Sequence, residues 1–293
     1  MADNKLELIK ELRQRTNSAL IDCKKALEAT SYDIEAAINW LKENGIVKAA
    51  KKAGRVAAEG AVSALGTDKK AVMVEINSET DFVAKNEMFI SLIKEVPQAI
   101  LNSDAQNLEQ ALTVKLANGE TIEQALVNAT ATIGEKITLR RVEVVKTQEG
   151  QVLGVYTHIN NRVAAIVTVE GSNTEAARNV AMHVSAMNPE FALVEEIPVD
   201  RLEAIKAGFE EPANFSLKPQ QIQEKIVTGW LDKQLSEFVL AKQAFVVDDS
   251  LTVEKYLSNH GSKLVASVRY EVGEGIEKVE SNFAAEVAGM VQK

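Results

Sequence analysis

The residues best placed to do chemistry lie together in Ser78-Glu79-Thr80-Asp81-Phe82-Val83-Ala84-Lys85. Asp81, joined by a second carboxylate from elsewhere in the chain, could form a general acid–base pair. The same residues also suit a purely architectural task. Ser78 with Asp81 three positions on has capping-box spacing, Asp81 would favour the positive end of a helix dipole, and Phe82 could staple the first turn to the core. Other chemistries find little footing. There is no Gly-x-x-x-x-Gly-Lys-Ser/Thr loop, and Gly273 and Gly275 are followed by Lys278 rather than a third glycine, so the chain is not expected to bind a nucleotide itself. His158, His183 and His260 lack paired ligand spacing, which speaks against zinc, and no Gly-x-Ser-x-Gly elbow is present. Neither a metal nor a cofactor is expected, and the chain does not read as an enzyme.

The stretch lies where a strand hands over to a helix. Ala71, Val72, Met73, Val74 and Ile76 form a β-branched, apolar run of half-buried strand character. Val83, Phe89, Ile90, Ile93 and Val96 recur at helical spacing until Pro97 breaks the pattern. Before these elements, Leu6, Ile9 and Leu12 mark one helix, Leu20, Cys23 and Leu27 a second, and Ile34, Ala37, Ile38 and Leu41 a third, ended by Gly45 as C-cap. Residues 1–46 thus make a compact three-helix bundle, of the kind that docks rather than catalyses, and 47–55 a linker. Cys23, the single cysteine, falls at an apolar helical position and excludes an intramolecular disulfide.

Residues 56–136 read as a first core subdomain: strands over 56–65 and 70–77 around the turn Gly66-Thr67-Asp68-Lys69, the helix after Val83, then helices marked by Leu108, Leu112 and Leu116 and by Ile122, Leu126, Ala129 and Ile133. Residues 137–280 read as a second, with strands over 137–146, 152–159 and 162–170 and a helix from about Thr174 to Asn188-Pro189. Inside it, 198–247 breaks the plan with two helices, one marked by Leu202 and Ile205 and a longer one carrying Ile222, Ile226, Leu231, Leu235 and Phe238. A strand returns at 263–272, and 281–293 closes the chain as a C-terminal helical module. Hairpin-length links predict antiparallel sheets with helices on one face, hence an α+β fold.

At 293 residues the chain can hold more than one domain. Its net charge of −9 argues against direct nucleic-acid binding, which needs clustered cations; Lys48, Lys51, Lys52 and Arg55 come nearest to a basic patch. No apolar run approaches the roughly 18 residues of a membrane span. The polar start Met1-Ala2-Asp3-Asn4-Lys5 does not resemble a signal peptide, so cytoplasmic residence is the expectation.

Thr80-Asp81-Phe82-Val83-Ala84-Lys85 resembles the signature of the elongation factor Ts family, nucleotide-exchange factors of the GTPase elongation factor Tu. Further motifs carry the likeness along the whole chain. Leu12-Arg13-Gln14-Arg15-Thr16 and Asp22-Cys23-Lys24-Lys25-Ala26-Leu27 resemble the ubiquitin-associated-like (UBA-like) opening domain, Lys48-Ala49-Ala50-Lys51-Lys52-Ala53-Gly54 the linker, and Ala181-Met182-His183-Val184-Ser185-Ala186 a helix of the second subdomain. Arg269-Tyr270-Glu271-Val272-Gly273-Glu274-Gly275-Ile276-Glu277-Lys278, running on through Phe283-Ala284-Ala285-Glu286, is similar to the C-terminal signature. The chain departs from the family at Asn17-Ser18-Ala19, where glycines are common, and at Ala164, where the family has glycine.

The resemblance implies a guanine-nucleotide exchange factor whose partner is elongation factor Tu. Thr80, Asp81, Phe82 and Val83 are implied to dislodge the partner's magnesium ion, with Phe82 as a wedge between helices of its GTPase domain. Arg13, Leu20 and Ile21 are implied to dock the bundle, the plain alternative for Leu20 and Ile21 being bundle core. Arg162, Val163, Ala164 and His183 are implied contacts from the second subdomain, the alternative for His183 being a buried structural histidine. The family also carries a coiled-coil hairpin at 198–247, which either packs on its own sheet or contacts a second molecule in a higher-order complex. Two rival classes stay open: a scaffold that binds without changing nucleotide affinity, and an acid–base enzyme built on Asp81.

Overall fold

A computed structural model describes residues 2–16 and 18–277, with no side-chain account of residues 2–4. The N-terminal bundle comprises α1 (Ala2–Thr16), α2 (Leu20–Ala29) and α3 (Ile34–Ala50), closed around Leu12, Cys23, Ala26, Leu27 and Ala37. Asp33 starts α3 by accepting a hydrogen bond from the Ala36 N–H at 2.7 Å. Gly45 does not end this helix as its type suggested. It is buried mid-helix, and a Cβ there would meet Ala131 of a later helix at 3.4 Å, so its small size serves helix packing rather than capping.

The core begins with β1 (Glu59–Gly66) and β2 (Lys70–Ser78), followed by α4 (Glu87–Leu101), α5 (Leu108–Thr113) and α6 (Ile122–Ile133). Leu116 lies beyond α5, in a short antiparallel bridge region between Lys115 and Thr121. Pro97 does not stop α4. It removes one backbone donor, but it is buried beside Val96 and Ile100 on the core side of the helix, and this burial holds the next turn in place. β3 (Thr138–Lys146) pairs antiparallel with β2, completing a sheet of order β1-β2-β3. It therefore belongs to the first sheet rather than opening the second subdomain. Leu139, Val142 and Val144 settle the matter by packing with the α4–α6 core, and Glu149-Gly150 carries the chain between sheets.

The second sheet, β4-β5-β8, is formed by β4 (Gln151–Thr157), β5 (Val163–Glu170) and, after a long excursion, β8 (Lys263–Glu271). The excursion holds α7 (Thr174–Met187), α8 (Val199–Ala207), α9 (Gln220–Leu235), a small hairpin of β6 (Ala244–Phe245) and β7 (Asp248–Thr252), and α10 (Val253–Asn259). α8 and α9 form the expected helical pair, joined across their turn by Phe209 against Phe215 and Trp230, with ring centroids 5.5 and 5.3 Å apart. Phe238 falls past the end of α9 and packs edge-on against Phe191 instead. The terminal helix expected over 281–293 lies outside the described residues.

The two sheets lie face to face. Val62, Ala64, Ala71 and Met73 of the first meet Leu153, Ala164 and Ile166 of the second, while Val72, Val74 and Ile76 face α4 and its neighbours. β2 is thus buried on both sides, which is why its run is continuous rather than alternating. Glu75 shares this strand and is fully buried. Its carboxylate accepts from Arg140 Nη1 at 3.0 Å, Arg141 Nε at 2.5 Å, Asn77 Nδ2 at 2.9 Å and the Gly273 N–H at 2.8 Å. A register shift in β2–β3, where Glu75 pairs with Arg141 and Ile76 with Leu139, leaves Arg140 as the extra residue. That bulge turns two adjacent arginines toward one carboxylate.

Burial alone would raise the Glu75 pKa, but the Gly273 N–H, Asn77 and Arg141 more than offset it and hold the carboxyl below its ordinary 4.5. A depressed folded pKa means stability that is present above about pH 4.5 and is lost as pH falls through the folded value. Glu75→Gln is expected to cost about 3–5 kcal/mol in urea unfolding at neutral pH, because Arg140 and Arg141 lose the buried carboxylate they share. The variant should also lose less stability than the wild type on acidification below pH 4.5.

Candidate partner-contact site

The turn after β2 is built before it is decorated. Ser78 Oγ donates to the Thr80 carbonyl at 2.8 Å. The Thr80 N–H and Oγ1–H both donate to Glu135, at 2.9 and 2.7 Å. Glu79 accepts the Lys136 N–H at 2.7 Å and pairs with Arg55 at 3.3 Å. The chain then makes one 3₁₀ turn, Val83–Lys85, and Val83 is buried against the α4 core. The expected Ser78–Asp81 capping box does not form. Asn86 caps α4 by accepting from the Met88 N–H at 2.9 Å, because the intervening 3₁₀ turn moves the helix start downstream.

Between the clamped Thr80 and the buried Val83, Phe82 stands 77% exposed. Asp81 beside it is exposed and has no hydrogen-bond or ion-pair partner among the described residues, so no second carboxylate is paired with it. A phenyl ring left in water forgoes the gain of burial. Here the ring stays out, between a hydrogen-bonded Thr80 and a buried Val83.

The bundle offers a second apolar patch. Leu20 is 51% and Ile21 65% exposed at the start of α2, and Arg13 is exposed on α1. The bundle core is filled by Leu12, Cys23 and Leu27, leaving these two outside. The end of α6 connects the patches. Ala131 and Thr132 line a small cleft with Ser18, Ala19 and Asp22 at the head of α2, and Glu135, just beyond, holds the Phe82 turn.

The second sheet contributes less than its motifs suggested. Arg162 pairs with Glu59 at 2.8 Å and Val163 is half-buried. Ala164 is fully buried between the sheets, so its methyl packs internally and cannot touch another molecule in this conformation. His183 is likewise fully buried. Its Nδ1 accepts the Val246 N–H at 3.1 Å, which puts the proton on Nε2, facing Gln243 Oε1 at 3.0 Å; Phe245 stacks on the ring. It is a satisfied core histidine that ties α7 to the β6–β7 hairpin. Sequence reading passed over Ile159, 92% exposed at the tip of the β4–β5 hairpin. The available signal was an isoleucine inside the polar turn His158-Ile159-Asn160-Asn161. β1 holds this tip near the Phe82 turn: its Glu59 pairs with Ser78 and its Val62 N–H donates to the Asn161 carbonyl at 2.7 Å.

Among the described residues, no group of three or more His, Cys, Asp and Glu side chains could hold a metal ion, and no helix is long and apolar enough to cross a membrane. What is assembled is a set of apolar contacts on hydrogen-bonded supports. Comparison with known proteins makes the chain a translation elongation factor. It belongs to the elongation factor Ts family, whose model, described as Elongation factor TS, matches residues 79–274. Elongation factor Ts of Mycoplasmopsis synoviae (strain 53) is 65% identical over 292 residues, covering 100% of both chains. Elongation factor Ts of Mycoplasmopsis pulmonis (strain UAB CTIP) is 49% identical, over 100% of this chain and 99% of its own. That of Mesomycoplasma hyopneumoniae (strain 7448) is 46% identical, over 99% and 97%.

Burial holds the His183 pKa below its ordinary 6.5, partly countered by Gln243. The unfolded chain therefore takes up this proton first, and stability is lost as pH falls from about 6.5 through the folded value. Urea midpoints measured from neutral to mildly acidic pH should fall more steeply for the wild type than for His183→Gln.

Proposed function

We propose that this chain is a guanine-nucleotide exchange factor for elongation factor Tu, acting in the cytoplasm, which speeds GDP release so that GTP can bind. Exchange makes or breaks no covalent bond, so the chain works by binding and not as an enzyme. It must hold the opened, nucleotide-free partner more tightly than the loaded one, and by reciprocity nucleotide then expels the factor. The observation that carries this reading is the Phe82 ring, 77% exposed on a turn clamped at both ends. A ring already held out enters a partner without the ordering cost that a mobile loop would add.

The contacts divide by task. Arg13, Leu20 and Ile21 dock the bundle on the GTPase domain, a protein surface rather than a nucleic acid, in keeping with the net charge of −9. Phe82 wedges between helices of that domain, and Asp81, free of internal partners among the described residues, competes for the polar groups around the magnesium ion. Thr80 and Val83 act as the fixed ends of the turn. Arg162 and Val163 support the second contact from the β4–β5 hairpin.

The test is the release rate of a fluorescent GDP analogue from purified elongation factor Tu, with the wild-type chain and with Phe82→Ala. The wild type should accelerate release and the variant should lose tenfold or more of that effect, since burying such a ring is worth about 1.5–3 kcal/mol. Equal acceleration by a folded variant would move the mechanism off Phe82. Demonstrated binding without any acceleration would overturn the exchange reading in favour of a scaffold.

A further inference from the structure

We infer that Glu135 is a positioning residue for exchange, acting through Thr80 to hold the turn that presents Phe82; the inference rests on the exchange reading above. α6 ends at Gly134 in the left-handed conformation, φ 91°, a backbone state that glycine adopts without strain. The chain reverses there and runs back beside the end of β2, where Asn77 pairs with Thr138. Glu135 is thereby aimed at the turn. Both of its oxygens are used on one residue, one accepting the Thr80 N–H at 2.9 Å and the other the Thr80 hydroxyl at 2.7 Å.

The clamp is reciprocal. As Glu135 accepts a backbone N–H from the turn, Glu79 of the turn accepts the Lys136 N–H at 2.7 Å. Each segment therefore supplies one carboxylate and one amide to the other, and charged hydrogen bonds of this kind are short and strong. Phe82 has little packing of its own to hold it, so its position is set through the backbone: by buried Val83 on one side and by Thr80 on the other. Removing Glu135 frees the Thr80 side only. The β2–β3 ladder and the buried core beneath are untouched, because Glu135 lies outside the apolar cluster. Loss of the clamp thus loosens the turn locally and leaves the global fold standing.

Hydrogen bonds to a charged group commonly carry a tenfold effect or more. Glu135→Ala is expected to lower kcat/KM for accelerated GDP release by about tenfold while the protein stays folded, with a thermal midpoint lowered by only a few degrees. Thr80→Val, which removes the hydroxyl donor to Glu135, should be impaired in the same direction. The decisive comparison is Glu135→Ala in the Phe82→Ala background. If Glu135 acts through the ring, the second substitution adds almost nothing; a full additional tenfold loss would show an independent role and overturn the inference. Amide hydrogen exchange across residues 79–84 reads the clamp without any partner. It should quicken in Glu135→Ala, and unchanged protection would also overturn the inference. Failure of the wild type to accelerate GDP release would count against the exchange reading, whereas a clamp-dependent amide pattern would still stand.

Discussion

One buried charge sets the terms for the rest of the molecule. An isolated carboxylate inside a protein is costly, and Glu75 at the middle of β2 has no exposure at all. Its ionised form is tolerable only when Asn77, both arginines of the β3 bulge and the Gly273 N–H converge on it. Those partners come from the strand itself, from its neighbour and from the turn after the last strand of the second sheet. The charge therefore specifies sheet register and sheet-to-sheet docking together. A slip of one residue in β2 would turn Glu75 toward the apolar α4 face, where no cation waits. Gly273 is bound into the same constraint. Its φ is 75°, and a Cβ there would lie 2.2 Å from the Ala58 carbonyl oxygen, so the turn that delivers the N–H accepts no larger residue without rearrangement.

The exposed apolar groups stand on the frame that this constraint produces. With both faces of β2 covered, Phe82 after β2, Ile159 between β4 and β5, and Leu20 and Ile21 at the head of α2 are among the large apolar residues left exposed. A single exposed apolar side chain is ordinary in any protein. What distinguishes Phe82 is the backbone beneath it, hydrogen-bonded on one side and buried on the other. Electrostatics follow the same division. The ion pairs of buried Glu75 are turned inward to join strands, whereas Asp81 beside the ring keeps its carboxylate in solvent.

Much of this was legible in the chain. Apolar spacing located the bundle helices and α4, α6 and α7, and β-branched runs located six of the strands, including β2 and β5. The local motif Thr80-Asp81-Phe82-Val83 marked the turn after β2 that leaves Phe82 exposed. Other features were misread because a local signal met a tertiary competitor. Gly45 suggested a cap but serves close packing against Ala131. Ser78 and Asp81 have capping-box spacing, yet the Ser78 hydroxyl found the Thr80 carbonyl first. His183 and Ala164 lie in motifs tied to partner contact and are sealed in the interior. The β6–β7 hairpin and α10 escaped notice because they are too short to display a period.

The sequence by itself determined element types, the α+β class and the family, because periodicity, turn chemistry and contiguous motifs are written along the chain. Tertiary structure alone decided which elements meet. β3 could have opened the second sheet on hairpin length alone; burial of Leu139, Val142 and Val144 placed it in the first. Glu135 has no motif value beside Gly134, since its role depends on a residue 55 positions away in the chain. Exposure is settled in the same way, because an apolar residue's side is chosen by whatever packs against it. Leu12 and Leu20 are the same residue type in one small bundle, yet one is its core and the other stands half exposed.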